Sequence, residues 1–279
     1  MITKIHCNGL TIGELDSGYI FKTLSGFDYP TIRTNVKEKG NYHGARFGSA
    51  YYGARVMTIE GEILGTSPED YETKRRALGQ AFTILNGLQQ VTFTTRAGLV
   101  LRADCIVNNR LEIPYSAGLM QRGTFRVELV APFPFFLAST TSTTTVYVFE
   151  GGGAEIPAEL PLTFSDGLAS NVDINNLGNV EAYPIIRIHG VITDPLIKNN
   201  TSDLSLSLDY TLSTTAQFIE IDTYNHTVKR GDTGANIFSS ATGDFWTLKT
   251  GLNNVVLSAS SYGEGARAEI IYQYHYLGL

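Results

Sequence analysis

Short runs in which apolar and polar residues alternate recur along the chain, separated by turns rich in glycine and asparagine. In residues 55–63, Met57, Ile59 and Ile63 share one register, and Val56 shares the other with two glutamates. A period of two is the pattern of a β-strand with one buried face. The last hundred residues continue in short β-branched and aromatic runs, at residues 183–190, 219–223, 227–229, 245–248 and 251–255. The pattern predicts a mainly β protein built from sandwiches.

One segment has helical spacing instead. Ser67 can cap it, Pro68 suits its first turn, and the acidic pair at residues 69–70 places negative charge at the positive end of the helix dipole. One apolar face is then predicted to lie on a sheet: Tyr71, Leu78, Ala81, Phe82 and Leu85. Gly87 is expected to end the helix.

Further strands are predicted before and after this helix. Residues 20–24 and 31–36 are expected to be short strands, and residues 37–50 a long loop or an open hairpin. Residues 91–95 and 99–107 flank the turn Arg96-Ala97-Gly98 and predict a hairpin, with a further strand at residues 124–130. Pro132 and Pro134 cannot donate to a ladder, so residues 131–136 must lie at a sheet edge or leave the sheet.

The chain of 279 residues is long enough for two domains. Residues 139–145 are all Ser or Thr, and three glycines follow at residues 151–153. The predicted organisation is an N-terminal domain at 1–137, a linker at 138–160 with a possible short strand at 146–149, and a C-terminal domain at 161–279.

Charge and composition exclude several functions. The net charge is −6, and charged residues make up only 17% of the chain, so stable nucleic-acid binding is not expected. No apolar stretch approaches the length of a membrane span, and the N-terminus lacks a signal-peptide core, so we expect synthesis in the cytoplasm without membrane insertion. Cys7 and Cys105 are expected to be buried free thiols.

Catalytic and metal-binding motifs are missing from the sequence. The histidines are isolated, and no cofactor or metal site is predicted. Two carboxylate pairs share a strand face, Glu60 with Glu62 and Glu220 with Asp222, but such neighbours usually mark the solvated side of a sheet. A glycosidase instead needs carboxyls that face each other across a cleft. The sequence therefore predicts a protein that is not an enzyme, with no catalytic residues.

Aromatic residues near the C-terminus form a candidate surface for a partner or a glycan. Phe245 and Trp246 are adjacent, so a strand would point one of them into the core and the other outward. Tyr272, Tyr274 and Tyr276 recur at period two and would share a face. Cross-strand packing inside a sandwich is one reading of these tyrosines; an interface or a sugar-stacking ladder is the other.

Segments spread over the chain resemble the distal tail protein family of long-tailed (siphovirus-type) bacteriophages or prophages. The resemblance covers nearly the whole chain, as a dispersed pattern at residues 26–33, 54–63, 131–136, 176–179, 184–190, 219–222, 227–228 and 245–254 and in the loop that reaches Gly44. It implies an N-terminal β-sandwich with one α-helix, followed by a C-terminal galectin-like jelly-roll β-sandwich.

The same resemblance implies a function. Such a protein forms a hexameric ring at the tail tip of the virion, the baseplate hub, and joins the major tail tube protein to the tail-tip hub or fibre protein. Receptor-binding proteins or host glycans are further possible partners, and DNA would pass through the ring without being held.

Residues 37–53 are the candidate segment for reaching a neighbouring copy, because aromatic residues and arginine are favoured interface anchors. The candidate interface residues are Tyr42, His43, Arg46, Phe47, Tyr51 and Tyr52. A solvent-exposed loop without a partner is the plainer alternative. The alternative function is a carbohydrate-binding protein that recognises cell-wall glycans through the C-terminal domain.

Overall fold

The computed structural model describes residues 2–13, 15–114, 121–148 and 171–278, and the chain divides into two compact units. Unit 1 comprises Met1–Ser139 and Tyr276–Leu279, and unit 2 comprises Thr140–His275. The glycine run at residues 151–153 and most of the predicted linker lie outside the described residues, so the predicted domain limits stay a prediction.

Unit 1 consists of strands with one longer helix among its described residues. In chain order its elements are β1 (Ile2–Cys7), β2 (Leu10–Ile12), a 3-10 turn (Leu15–Ser17), β3 (Tyr19–Ser25), β4 (Ile32–Glu38), β5 (Ala45–Tyr52), β6 (Arg55–Leu64), α1 (Pro68–Ala81), a second 3-10 turn (Ile84–Asn86), β7 (Gln89–Thr95), β8 (Val100–Val107), β9 (Arg122–Ala131) and β10 (Phe136–Ala138).

The main sheet of unit 1 is antiparallel in the order β2-β1-β7-β8-β9-β6-β3, and β10 also pairs with β8. β8 and β9 pair only through Ile106↔Val130 and Val107↔Leu129, so the sheet is nearly divided into two halves. Both halves contribute side chains to one buried core, which makes the unit a β-sandwich. In β6, Met57, Ile59 and Ile63 are buried and Val56 is exposed, as the alternation predicts.

The helix begins as predicted but ends earlier. The Ser67 side chain accepts a hydrogen bond from the Asp70 backbone amide, and Tyr71, Leu78 and Ala81 are buried in the unit 1 core. The expectation that Leu85 continues this apolar face is wrong, because the helix ends at Ala81 and the Thr83 side chain caps a separate 3-10 turn. Leu85 is 89% exposed as a result.

Unit 2 is a second, separate sandwich. Its elements are β11 (Ser142–Tyr147), β12 (Asn171–Asn176), β13 (Ile185–His189), β14 (Ile192–Thr193), β15 (Leu196–Asn199), β16 (Leu204–Leu208), β17 (Thr211–Leu212), β18 (Phe218–Asp222), β19 (Thr227–Arg230), a 3-10 turn (Phe238–Ser240), β20 (Ala241–Gly243), β21 (Gly251–Ser258), β22 (Ser261–Tyr262) and β23 (Arg267–Tyr272); β24 (His275–Tyr276) lies where the chain returns to unit 1.

Two five-stranded sheets of unit 2, β11-β23-β13-β18-β19 and β12-β21-β15-β16-β20, share a single core. Their inward residues alternate along each strand, with Ile186 and Ile188 in the first sheet and Val255 and Leu257 in the second. β14, β17 and β22 form a small third sheet. This is a β-sandwich, as predicted; its assignment as galectin-like stays a prediction. β11 lies within the segment predicted as a linker.

Both cysteines are buried in unit 1 as free thiols, in agreement with the sequence. Burial raises the pKa of Cys7 to about 11 and that of Cys105 further. Within the described ranges, no helix has the length and apolar character to cross a membrane.

Candidate interaction surfaces

Among the described strands of unit 1, β4 and β5 are the most exposed, and they form a hairpin that we call the arm (residues 32–52). The two strands pair only with each other, from Ile32↔Tyr52 to Glu38↔Ala45, and form a sheet of their own. The Lys39 amide donates to the Gly44 carbonyl oxygen to close the turn, where Gly44 has a φ of +91°. Every arm side chain except that of Ser49 is exposed.

The arm has one apolar and one polar face. The register skips Gly48 in β5, which keeps cross-strand partners on a common face along the arm. Four apolar side chains share one face: Ile32, Val36, Phe47 and Tyr52. The other face carries Arg33, Asn35, Lys37, Arg46, Ser49 and Tyr51. An alternating strand pair of this kind normally buries its apolar face, yet Phe47 is 69% exposed and Ile32 is 62% exposed.

The structure brings the predicted interface residues together on this arm. Phe47 and Tyr52 lie on the apolar face, Arg46 and Tyr51 lie on the polar face, and Tyr42 and His43 lie in the connecting turn. The Tyr52 ring also contacts Phe135 edge to face, at 5.7 Å between centroids. Sequence reasoning missed Ile32 and Val36, although their alternation with Arg33 and Lys37 is visible in the sequence. The role of these residues as an oligomer interface stays a prediction.

Trp246 does not lie on a surface. It is 1% exposed in the unit 2 core, whereas its neighbour Phe245 is only partly buried and stacks on His226 at 4.7 Å. This corrects the expectation of an accessible tryptophan: of the adjacent pair, the larger ring fills the sandwich. Trp246 therefore offers no ring face to a sugar or a partner.

The three C-terminal tyrosines do not form a ladder. β23 ends at Tyr272, which is buried, and Tyr274 packs beside it with 5.8 Å between the ring centroids. Both contact the unit 2 core, whereas Tyr276 packs against the unit 1 core. The shared exposed face expected from period two is absent, because the regular strand stops after Tyr272. Packing inside the sandwich is the reading that fits Tyr272 and Tyr274.

Three of the four paired carboxylates form ion pairs, and the fourth accepts hydrogen bonds from a turn. Glu60 lies 3.5 Å from Arg126, and Glu62 lies 2.7 Å from Lys22, whose hydrogen bond lowers the pKa of Glu62. Glu220 pairs with an arginine of the neighbouring strand β13 at 2.9 Å. The Asp222 carboxylate accepts hydrogen bonds from the backbone of the following turn. These contacts are those of a solvated sheet face.

The histidines are likewise dispersed. His6 contacts Thr11, His189 lies 3.4 Å from Glu269, and His275 is buried against the Glu181 carbonyl oxygen. Among the residues that the structure describes, no group of three or more His, Cys, Asp or Glu side chains could hold a metal ion.

The arm and most of unit 1 match the model of a known family. Residues 7–130 match the family model described as the phage tail protein RIFT-related domain. These residues are therefore similar to a phage tail domain. The matched family is a phage tail family rather than an enzyme family, in agreement with the sequence. No curated protein sequence is similar enough to the chain to count as a relative.

Solved structures extend the likeness from residues 7–130 to the whole chain. The Dit (gp 19.1) protein of phage SPP1, described as a paradigm of the hub adsorption apparatus in phages that infect Gram-positive hosts, has a TM-score of 0.67 at 13% identity, covering 98% of this chain and 99% of its own. The fold is therefore shared over both units. Together with the family match at residues 7–130, this shared fold confirms the resemblance to a phage tail protein family.

Two weaker likenesses are to the phage P2 baseplate in its activated conformation. The form with Ca has a TM-score of 0.49 at 12% identity, and the form with Sr has 0.42 at 14% identity, each covering 97% of both chains.

Proposed function

We propose that this phage tail protein is the distal tail protein of a siphovirus-type phage or prophage. It assembles into a hexameric ring at the tail tip, between the major tail tube protein and the tail-tip hub or fibre protein. Unit 1, with its phage tail domain, builds the ring, and unit 2 is a galectin-like outer domain that meets further partners such as receptor-binding proteins. The family of residues 7–130 and the fold of the whole chain support this role.

The uncovered apolar face of the arm is the observation that supports assembly into a ring. An isolated two-stranded hairpin is marginally stable in water, and exposed aliphatic and aromatic side chains in one patch mark a protein contact. At about 3.3 Å per residue, the seven residues of β4 extend over roughly 23 Å. The arm is therefore long enough to lie across a neighbouring subunit.

We infer that the arm's partner is a second copy of the chain. The arm carries four basic side chains, at residues 33, 37, 39 and 46, against one carboxylate at residue 38, whereas the whole chain has a net charge of −6. A basic arm and an acidic remainder complement each other. An arm that docks on a different surface of its neighbour makes a heterologous contact, which is the kind that closes rings.

The test removes the apolar face without disturbing the strands. Val36→Thr with Phe47→Thr places β-branched threonines, which favour strands, at a cross-strand pair and removes two apolar anchors. Native mass spectrometry and negative-stain microscopy of the concentrated protein should show rings of six subunits for the unmodified protein. These rings should be lost in the variant. Stable interfaces bury more than about 1,000 Å² in total, so two central anchors should matter.

The matched control lies on the opposite face of the same arm. Asn35→Thr with Ser49→Thr changes the neighbouring cross-strand pair and alters no charge, so rings should persist. Rings that survive Val36→Thr with Phe47→Thr would contradict the arm's role. An unmodified chain that stays monomeric, and whose arm binds only the tail tube or hub protein, would assign the arm to that partner.

A further inference from the structure

A cleft in unit 2 has the composition of a ligand site. Its volume is about 470 Å³, and Tyr147, Tyr262, Gly265 and Arg267 are among the residues that line it. Small-ligand sites usually have volumes of roughly 300–1,000 Å³ and combine aromatic walls with a few placed polar groups. Tyr147 and Tyr262 are 41% and 42% exposed, so each presents part of its ring to solvent.

The secondary structure holds these groups in place. Tyr147 and Arg267 are directly opposite each other on β11 and β23, so their side chains share one face of the sheet. Tyr262 lies on β22, paired with Ile192 of β14. Between them the chain turns at residues 263–266, where the Gly263 amide donates to the Val191 carbonyl oxygen at 2.8 Å. The cleft is therefore built from a sheet, a paired strand and a hydrogen-bonded turn.

The turn is also fixed by close backbone packing. Gly190 has a φ of +88°, and a Cβ there would lie 2.2 Å from the Gly265 carbonyl carbon. Only glycine allows this approach, which brings the turn at residues 263–266 against the end of β13.

Hydrogen bonds orient the Arg267 guanidinium but do not use all of its N–H donors. Its Nε and Nη2 donate to Glu269 Oε1 at 3.2 and 3.1 Å, and its Nη1 donates to the Gly265 carbonyl oxygen at 3.3 Å. These bonds use three of the five N–H groups of a guanidinium. The remaining two are one N–H group on Nη1 and one on Nη2. Glu269 balances the positive charge, and Arg267 is the one charged residue among the described residues of the lining.

We propose that this cleft binds a neutral carbohydrate. The apolar face of a sugar ring would stack on Tyr147 and Tyr262, because a tyrosine ring offers a flat apolar surface with a polar tip. Vicinal hydroxyl oxygens would accept hydrogen bonds from the two remaining Arg267 donors. A balanced guanidinium gives little attraction for an anionic ligand, and a purely apolar ligand would leave its N–H groups without partners. In the ring proposed above, several weak sites would bind a polysaccharide together.

The experiment is saturation-transfer NMR, followed by titration calorimetry, on the full chain. The probes are hexasaccharides of β-1,4-glucose, α-1,4-glucose, β-1,4-N-acetylglucosamine and β-1,4-mannose, with an oligogalacturonate as the acidic comparison and a proline-rich decapeptide as the rival ligand for an aromatic cleft. At least one neutral hexasaccharide should bind. Tyr147→Ala and Tyr262→Ala should each weaken its binding by about fivefold, since one aromatic contact is worth on the order of 1 kcal/mol.

Two further variants separate the parts of the site. Arg267→Lys keeps the charge but loses the planar guanidinium and its several N–H donors, and it should also weaken binding. Tyr224→Ala is the matched control, because Tyr224 is an exposed tyrosine of unit 2 that follows the opposite end of the same sheet at β18; it should leave binding unchanged. Circular dichroism of each variant checks the fold.

Three results would overturn the proposal: no neutral hexasaccharide binds, the oligogalacturonate or the decapeptide binds in preference, or binding survives Tyr147→Ala. The measurement uses the unassembled chain and the ring assay uses microscopy, so failure of the glycan site and failure of the ring are separate outcomes.

Discussion

Arg55 connects three separate parts of unit 1. It is 1% exposed, and its guanidinium donates to the carbonyl oxygens of Gly26, Asp28, Pro134 and Leu277. Its Cζ also lies 4.2 Å from the centroid of the Phe136 ring. Burial lowers its pKa to about 10, so it remains charged at neutral pH. One side chain thus joins the 26–28 turn, the proline-rich segment and the end of the chain.

Arg55→Met should destabilise the protein severely. The substitution keeps much of the apolar volume but leaves four carbonyl oxygens without their donor, which should lower the free energy of unfolding by about 3 kcal/mol. Urea unfolding measures the loss. Arg110→Met is the control, because the Arg110 side chain is 84% exposed and its loss should cost less than about 0.5 kcal/mol. Equal losses in the two variants would mean that water replaces the Arg55 bonds.

His275 should make unit 2 less stable in acid. Burial lowers its pKa from 6.5 to about 4, and its Nδ1 donates to the Glu181 carbonyl oxygen at 2.8 Å, which fixes the neutral tautomer. The unfolded chain therefore binds the proton first. The stabilising contribution is complete above pH 6.5 and is lost as the pH falls towards 4.

Comparison with His275→Asn isolates this effect, because asparagine keeps a donor but does not titrate. Between pH 7 and pH 5, the unmodified protein should lose about 2 kcal/mol more unfolding free energy than the variant. Urea unfolding followed by Trp246 fluorescence reports on unit 2. Parallel losses in both proteins would show that other groups, such as His189, whose pKa burial also lowers, account for the acid sensitivity.

At the scale of elements, the sequence predicts what short-range physics determines. The cap at Ser67 and the alternation of β6 are local patterns, and both are present in the structure. The end of α1 was misplaced because Thr83 caps a competing turn, a choice that spacing alone does not reveal. The burial of Trp246 depends on which face of its segment meets the second sheet, and this is a tertiary fact.

The two candidate surfaces, the arm and the cleft, also differ in whether local sequence patterns predict them. The arm residues were predictable because exposed aromatics and arginine cluster within one segment. The cleft was not, because Tyr147 and Arg267 are 120 positions apart and meet only through the pairing of β11 with β23. No local sequence pattern predicts the register in which β11 pairs with β23.

Two glycines should respond in opposite directions to the same substitution. At Gly61 in β6, a Cβ would lie 2.3 Å from the Ile20 carbonyl oxygen and 2.6 Å from the Phe125 ring, whereas at Gly79 in α1 it would meet nothing within 4 Å. Gly61→Ala should therefore force β3 or β9 to shift and cost about 2 kcal/mol. Gly79→Ala should stabilise the helix by up to about 1 kcal/mol. Thermal unfolding of both variants checks the signs, and a stabilising Gly61→Ala would contradict this packing.

At the scale of the whole molecule, the two units are not simply consecutive in sequence. Unit 1 includes the last residues of the chain, after the strands of unit 2 are complete. Leu277 accepts from Arg55, and a Cβ at Gly278 would lie 2.4 Å from the Asp28 carbonyl oxygen, so the chain end packs on the 26–28 turn. A division of the sequence into two domains at a single linker would therefore assign these last residues to the wrong unit.

Removing the residues after Tyr276 should therefore weaken unit 1, although they follow unit 2 in the sequence. Each unit contains its own reporter: both cysteines, Cys7 and Cys105, are buried in unit 1, and the single tryptophan, Trp246, is in unit 2. Loss of the Leu277 acceptor should cost unit 1 roughly 2 kcal/mol, since hydrogen bonds to charged groups are the stronger ones. Thiol labelling of the native protein should then accelerate by more than about tenfold, because the buried thiols react only when the unit opens. The urea midpoint of Trp246 fluorescence should not change. Labelling at the original rate with a lowered Trp246 midpoint would mean that the chain end stabilises unit 2 instead.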